Sequence, residues 1–253
     1  MERSWKLSKT KAEMELMRKS CRLVAETLEM LGARVKSGIT TGELDRIAEE
    51  FIRSRGGLPS FKGYRGYPAS ICTSVNSEVV HGIPGPRMLK EGDIISIDVG
   101  ALKDGYHGDC AATFPVGRIT DEAARLLEVT ERSLAAGIEQ ARKGKRVVDI
   151  SRAVQATAEG AGFSVVRDLR GHGIGQQLHE EPEVPNFVTG GLSPVLMEGM
   201  TIAVEPMVTV GGYEVTVLPD AWTVVTKDGN LAAHFEHTIA ITADGAEILT
   251  RCE

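Results

Sequence analysis

Several things are missing from this 253-residue sequence, and each absence removes a class of protein. No run of about 18 apolar residues occurs, so no membrane-spanning helix is expected. The start, MERSWKLSKTKAEMEL, has no apolar h-region, so a secretory signal is not expected. There is no basic block and the net charge is −6, which argues against a nucleic-acid partner. Cysteine is scarce. Cys21, Cys72, Cys110 and Cys252 are scattered with no C-x-x-C pair, which points to reduced thiols in a cytosolic compartment, not to a disulfide framework or a zinc knuckle. Two familiar motifs also fail in RGHGIGQQLHEEPEVP, residues 170–185. His179 and Glu180 begin like the zincin H-E-x-x-H, but position 183 is Glu183, and Pro182 and Pro185 forbid a regular helix. No G-K-[ST] follows the glycines, so the run is not a P-loop.

What is present is ordinary in bulk: 42% apolar and 25% charged residues, enough for one globular domain or two intimate halves. Thr10 and Glu13 make a capping box. Met14, Met17, Cys21, Val24, Leu28 and Leu31 follow at helical spacing, and Gly32 is expected to stop the helix. A second box, Thr40 with Glu43, opens a helix that buries Leu44, Ile47, Ala48 and Phe51 and ends at Gly56 and Gly57. DIISIDVGALKDGYHGDCAATFPVG alternates around a KDG turn, predicting a hairpin over 94–101 and 106–115.

The order helix, helix, strands then recurs. Gly38, Leu44 and Arg46 match Gly144, Ile150 and Arg152 (144 − 38 = 106), and LKEGDIISID matches LMEGMTIAVE (196 − 89 = 107). The reading is a single domain over 1–253 built from an internal duplication, approximately 10–115 and 118–250, with the cleft between the halves.

The duplication aligns Asp98 with Glu205, each a carboxylate inside an apolar strand, which is costly unless paired or metal-bound. In the hairpin, a Lys103-Asp104 loop puts Asp98 opposite Asp109. An Asp104-Gly105 loop puts it opposite Ala111 with Asp109 on the diagonal. Either way both carboxylates share a face within roughly 5 to 8 Å. Two like charges that close call for a divalent cation. The competing reading is the polar, solvent-facing side of an edge hairpin. Glu236 adds a fourth carboxylate in HFEHTIAI, between His234 and His237. His107, His234 and His237 are expected to be surface or core hydrogen-bonders. His81, His172 and His179 lie in glycine- or proline-bounded loops, where sites are built. Four carboxylates with at least one histidine suit Mn(II), Fe(II) or Co(II), with Zn(II) also admitted.

The blocks NSEVVHGIP, IDVGALKDGYHGD, GHGIGQQLHEEP, VEPM and FEHT occur in order, and with them the chain resembles the type I methionine aminopeptidases. The resemblance covers nearly the whole chain. It implies the α+β pita-bread fold, with two pseudo-symmetric halves, a central curved antiparallel sheet and helices on its outer face. It implies two divalent cations (Co, Mn, Fe or Zn) held by Asp98, Asp109, His172, Glu205 and Glu236. It further implies His81, His179 and Glu205 as catalytic groups, with His81 and His179 contacting substrate and the glycines letting the backbone turn tightly. Tyr64, Tyr67, Cys72, Leu178 and Trp222 are candidate pocket wall, each with core packing as the alternative. The implied activity is removal of the N-terminal methionine from nascent chains, favouring small second residues. The implied setting is a cytoplasmic monomer that meets the ribosome transiently, without membrane or direct nucleic-acid contact.

No long insertion separates Glu205 from Glu236 and no zinc-binding extension precedes the first helix, which argues against the type II form. Leu169 and Leu178 stand where an aromatic is often found, and Val80 where many relatives have cysteine. These departures bear on pocket shape. Two alternatives are an aminopeptidase P or prolidase-like enzyme, which resembles this chain in all five ligands but whose usual large N-terminal domain has no room here, and a metal-free binding module on the same fold, which would be expected to lose ligands that this chain keeps.

Overall fold

The computed structural model describes residues 7–252; the first six residues of the N-terminal stretch read above lie outside the described residues. The first two helices form where the caps predict them. Helix α1 (Lys11–Gly32) and helix α2 (Thr41–Ser54) start at complete capping boxes on Thr10 and Thr40, each box contributing about 1 kcal/mol. Helices α3 (Asp121–Gln140) and α4 (Val147–Gly160) open the second half. Gly32 does not stop α1 through a left-handed turn. It is the last helical residue, and a Cβ there would meet the Phe114 ring at 2.4 Å, so glycine is required by packing.

Nine strands make the main sheet. Seven run across it in the order Leu58–Pro59, Ile94–Lys103, Tyr106–Pro115, Glu236–Ile241, Thr201–Val204, Arg170–Gly173, Glu180–Pro185. Ile71–Val75 also pairs with Ile94–Lys103, and Ala246–Ile248 with Glu236–Ile241; every pairing is antiparallel. The hairpin turns on Asp104-Gly105, whose φ values of 51° and 84° suit a type I′ turn. Asp98 therefore pairs with Ala111, and Asp109 with Gly100.

Strand alternation divides this sheet into two chemistries. Ile95, Ile97, Val99, Ala101 and Cys110 pack against Val24, Leu28 and Leu31 of α1 and Leu44, Ala48 and Ile52 of α2. Ile47 and Phe51, expected in this core, are only partly buried, and Ile52 takes the interior place. In the second half Ile202, Val204, Ile239 and Ile241 pack against Leu134 and Ile138 of α3 and Ile150 and Val154 of α4. The opposite parity in all four strands carries Asp98, Asp109, Glu236 and Glu205. The helices thus cover one face, and the carboxylates are left on the other.

Candidate active site

Strand register sets the carboxylates in a row. Asp98 pairs with Ala111, Ala111 pairs with Glu236, and the register joining His237 to Val204 carries Glu205 opposite Glu236. Asp109 lies two pairs along, on the same face, opposite Gly100. Small side chains at Ala111 and Gly100 leave room between the acids. His172 enters from the neighbouring strand; it stands on Arg170–Gly173, not in a loop as expected from its glycines. Those glycines serve close approach, not tight turning. A Cβ on Gly171 would lie 2.4 Å from the Ala203 carbonyl oxygen, and one on Gly173 would lie 2.1 Å from that of Glu181. The backbone turns at His81 instead, whose φ of 59° is uncommon for a non-glycine residue.

Hydrogen bonding shows what these side chains lack. His172 Nδ1 lies 2.8 Å from the Gly173 carbonyl oxygen. A carbonyl only accepts, so Nδ1 carries the proton. Burial pushes the His172 pKa down to about 4, so the ring is neutral and Nε2 keeps a lone pair. That lone pair faces Glu205 Oε1 at 3.5 Å and Asp109 Oδ2 at 3.9 Å, too far and too acceptor-rich to be hydrogen bonds. Asp98 Oδ1, Asp109 Oδ1 and Glu236 Oε1 are buried without a hydrogen-bond partner. Ligand atoms of Asp109, His172 and Glu236 all lie within 4.8 Å of one another. Burial, and then mutual repulsion, raise the pKa values of Asp109, Glu205 and Glu236; burial raises that of Asp98 as well. Converging acceptors with no donor among them, in a hard-oxygen and imidazole set, fit a divalent cation.

A cavity of about 370 Å³ opens on this row. All five expected wall residues line it, namely Tyr64, Tyr67, Cys72, Leu178 and Trp222, as do His81 and His179. The Tyr67 hydroxyl donates to the backbone carbonyls of Ile71 and Gly82, 3.0 Å away in each case, so its ring serves as wall. Trp222 stands edge-on to Tyr67 and to His81, with centroids 5.1 and 6.3 Å apart. His179 stacks on Tyr64 and hydrogen-bonds its hydroxyl at 2.8 Å. Val80, Leu169 and Leu178, the three departures, also line the cavity. Sequence reading missed Phe61, Arg65 and Met207. Met207 sits two residues after Glu205, where period-two alternation flags it. Phe61 and Arg65 carry no such signal.

The remaining histidines divide. His107 hydrogen-bonds Ser60 Oγ and His237 hydrogen-bonds Thr250 Oγ1, as expected of them. His234 departs from the expectation: it is buried with neither ring nitrogen hydrogen-bonded, its Nε2 3.9 Å from Glu236 Oε2.

The sequence profile of metallopeptidase family M24 matches residues 15–243. The chain belongs to this family. A methionine aminopeptidase from Bacillus subtilis is 55% identical to it, covering 97% of this chain and 99% of that protein. The crystal structure of methionine aminopeptidase from Rickettsia prowazekii aligns with a TM-score of 0.94 at 42% identity, covering 96% of this chain and 99% of that one. Prolidase from Pyrococcus furiosus shares the fold alone, at 23% identity and a TM-score of 0.80, and this chain spans 66% of its length. The architecture is accordingly the pita-bread fold, and the chain stands among the methionine aminopeptidases of the family.

Proposed function

We propose that the protein removes the N-terminal methionine from nascent chains and peptides, favouring small second residues, by metal-assisted hydrolysis. The observation that carries this is the neutral His172 Nε2 facing two carboxylates across a gap that holds no donor. Asp98, Asp109, His172, Glu205 and Glu236 would hold two divalent cations, drawn from Co, Mn, Fe and Zn. When bound, such ions supply a water of lowered pKa and a Lewis acid for the scissile carbonyl. The protein's own groups do the rest. Glu205, whose pKa burial raises, accepts a proton and passes it to the leaving amine. His179 donates to the carbonyl oxygen as charge develops there, and His81 steadies the amide nitrogen. The aromatic wall of Tyr64, Tyr67 and Trp222, with Cys72 and Leu178, takes the unbranched methionine side chain.

A newly made chain end as substrate supports action in the cytoplasm and transient contact with the ribosome, and we propose that the enzyme works there as a monomer. Sedimentation of the purified protein, alone and with ribosomes, tests that setting. The activity itself is tested with four peptides. Met-Ala-Ser should be cleaved well. Ile-Ala-Ser should be rejected, because branching at Cβ meets the wall. Formyl-Met-Ala-Ser should be rejected, because an amide nitrogen has no lone pair to offer a cation. Ala-Pro-Ala should be a poor substrate. Cleavage of Ala-Pro-Ala in preference to Met-Ala-Ser would overturn the proposal in favour of the prolidase-like reading.

A further inference from the structure

The two adjacent histidines of the cleft are bonded differently through the same ring atom. Their rings sit 4.2 Å apart, centroid to centroid. His172 Nδ1 meets a carbonyl oxygen, which can only accept, whereas His179 Nδ1 meets the Tyr64 hydroxyl, which can donate. The role of His179 in the proposed function needs a proton on Nε2, pointing at the substrate carbonyl. A neutral imidazole has that proton on Nε2 only if Nδ1 is the acceptor.

From this geometry we infer that Tyr64 is a positioning residue for the reaction: its O–H donates to His179 Nδ1 and holds the ring in its Nε2–H form, facing the cleft. Two arguments choose this direction of the bond, and a third observation fixes the ring. First, an imidazole nitrogen is a better acceptor than a phenol oxygen. Second, the Arg65 guanidinium lies over the Tyr64 ring, 5.3 Å from its centroid, and draws electron density from it. That makes the hydroxyl a stronger donor and its oxygen a weaker acceptor. Third, Tyr64 stacks on His179 at an interplanar angle of 25° and 5.2 Å between centroids, so the bond and the stack together fix both tautomer and orientation. The sequence gives no hint of the pairing, because Tyr64 and His179 are 115 positions apart.

The inference rests on the reading of His179 as a donor, so its test has a readout that needs no turnover. Histidine labelled with ¹⁵N is incorporated into the protein loaded with Zn(II), which is diamagnetic, and long-range proton–nitrogen spectra report which ring nitrogen bears hydrogen. His179 is assigned by the signal that disappears in His179→Gln. The wild type should show Nε2 protonated and Nδ1 bare. Tyr64→Phe keeps the stacked ring and removes the donor. Its two His179 nitrogen signals should move toward each other, and kcat for Met-Ala-Ser should fall about threefold to tenfold, the worth of one hydrogen bond, with KM within twofold. Protonated Nδ1 in the wild type overturns the inference. So does a Tyr64→Phe protein with wild-type nitrogen signals and unchanged kcat. If Tyr64→Phe does not fold, the wild-type spectrum alone decides. Failure of the wild type to cleave Met-Ala-Ser would instead count against the proposed function, and the spectrum would still decide the direction of the bond.

Discussion

Asp109 is 4% exposed, has an oxygen with no partner, and faces the bare nitrogen of His172. A buried carboxylate left this way costs several kcal/mol unless it is protonated or meets a cation. Asp109→Asn is nearly isosteric and neutral, so it removes charge without opening a cavity. The expected result is a folded protein that binds less metal and loses at least about 10²-fold in kcat/KM, more than the 10- to 100-fold typical of losing an outer partner. Metal analysis, circular dichroism and the Met-Ala-Ser assay check this together. Normal metal content with activity within tenfold of wild type would remove Asp109 from the ligand set. His234 shows the limit of reading one residue at a time. Two positions before Glu236, it was expected to hydrogen-bond, yet its ring has no such partner among the described residues.

At the scale of elements, one ion pair ties the segment before α1 to the loop that bears His179. Lys9 Nζ is 2.6 Å from Glu180 Oε2, with both side chains almost wholly buried. Glu180 Oε1 also accepts from the Gln177 backbone N–H, and the Lys9 N–H donates to the Gly199 carbonyl. Breaking one partner of a buried pair leaves an uncompensated charge, at about 3–5 kcal/mol. Lys9→Met should therefore destabilise the protein by about that amount, read as a lower midpoint in urea. Lys9→Met with Glu180→Gln should recover part of the loss, because no charge is then stranded. A single variant within about 0.5 kcal/mol of wild type would show that the pair is solvated and contributes little. Alternation along each strand was readable in the sequence; this pair was not, since 171 positions separate its members.

For the whole molecule, we propose that residues 1–253 form one catalytic domain of two duplicated halves. Equivalent backbone bonds support it: Gly38 N–H donates to Leu89 and Gly144 N–H to Leu196, while Leu89 N–H returns to Ile39 and Leu196 N–H to Lys145. Isolated bridges Thr40–Met88 and Arg146–Val195 repeat the same spacing (146 − 40 = 106; 195 − 88 = 107). Because the main sheet is continuous across both halves, calorimetry should show one cooperative transition; two separated transitions would count against a single domain. Stability should also depend on pH in a way set by the acid cluster. Burial raises the pKa of Asp98 to about 7 and those of Asp109, Glu205 and Glu236 well above their ordinary values of 3.8 and 4.5. A raised carboxylate means the metal-free folded state binds more protons than the unfolded chain. Its stabilising effect is present below the ordinary values and lost as pH rises through the raised ones. His172 and His234, lowered to about 4 and about 3, act oppositely, and their effect is complete above the ordinary 6.5. Above that value the histidine effect no longer changes, and the buried thiols of Cys21, Cys72 and Cys110, raised from 9.0, add to the carboxylate trend only as pH nears 9. The Tm of the protein in EDTA should therefore fall as pH rises above about 7, and Mn(II) should reduce the fall. A metal-free Tm that rises over that range would sink the account.

Taken alone, the sequence determined whatever depends on near neighbours. The capping boxes at Thr10 and Thr40, a hairpin around the KDG turn and the shared face of Asp98 and Asp109 follow from helical caps, turn chemistry and a period of two, all local rules, whereas the choice of Asp104-Gly105 over Lys103-Asp104 as the turn came from the structure. The five proposed ligand positions were legible only through resemblance, since spacing alone singled out four carboxylates and left three histidines open. Tertiary structure decided which histidine joins the acids, because that depends on the pairing of Gly173 with Ile202 across the sheet. It also decided which atom His172 and His179 each meet through Nδ1. A tautomer is set by the atom opposite Nδ1, a carbonyl for His172 and a hydroxyl for His179, and no local pattern in the chain says which atom that will be.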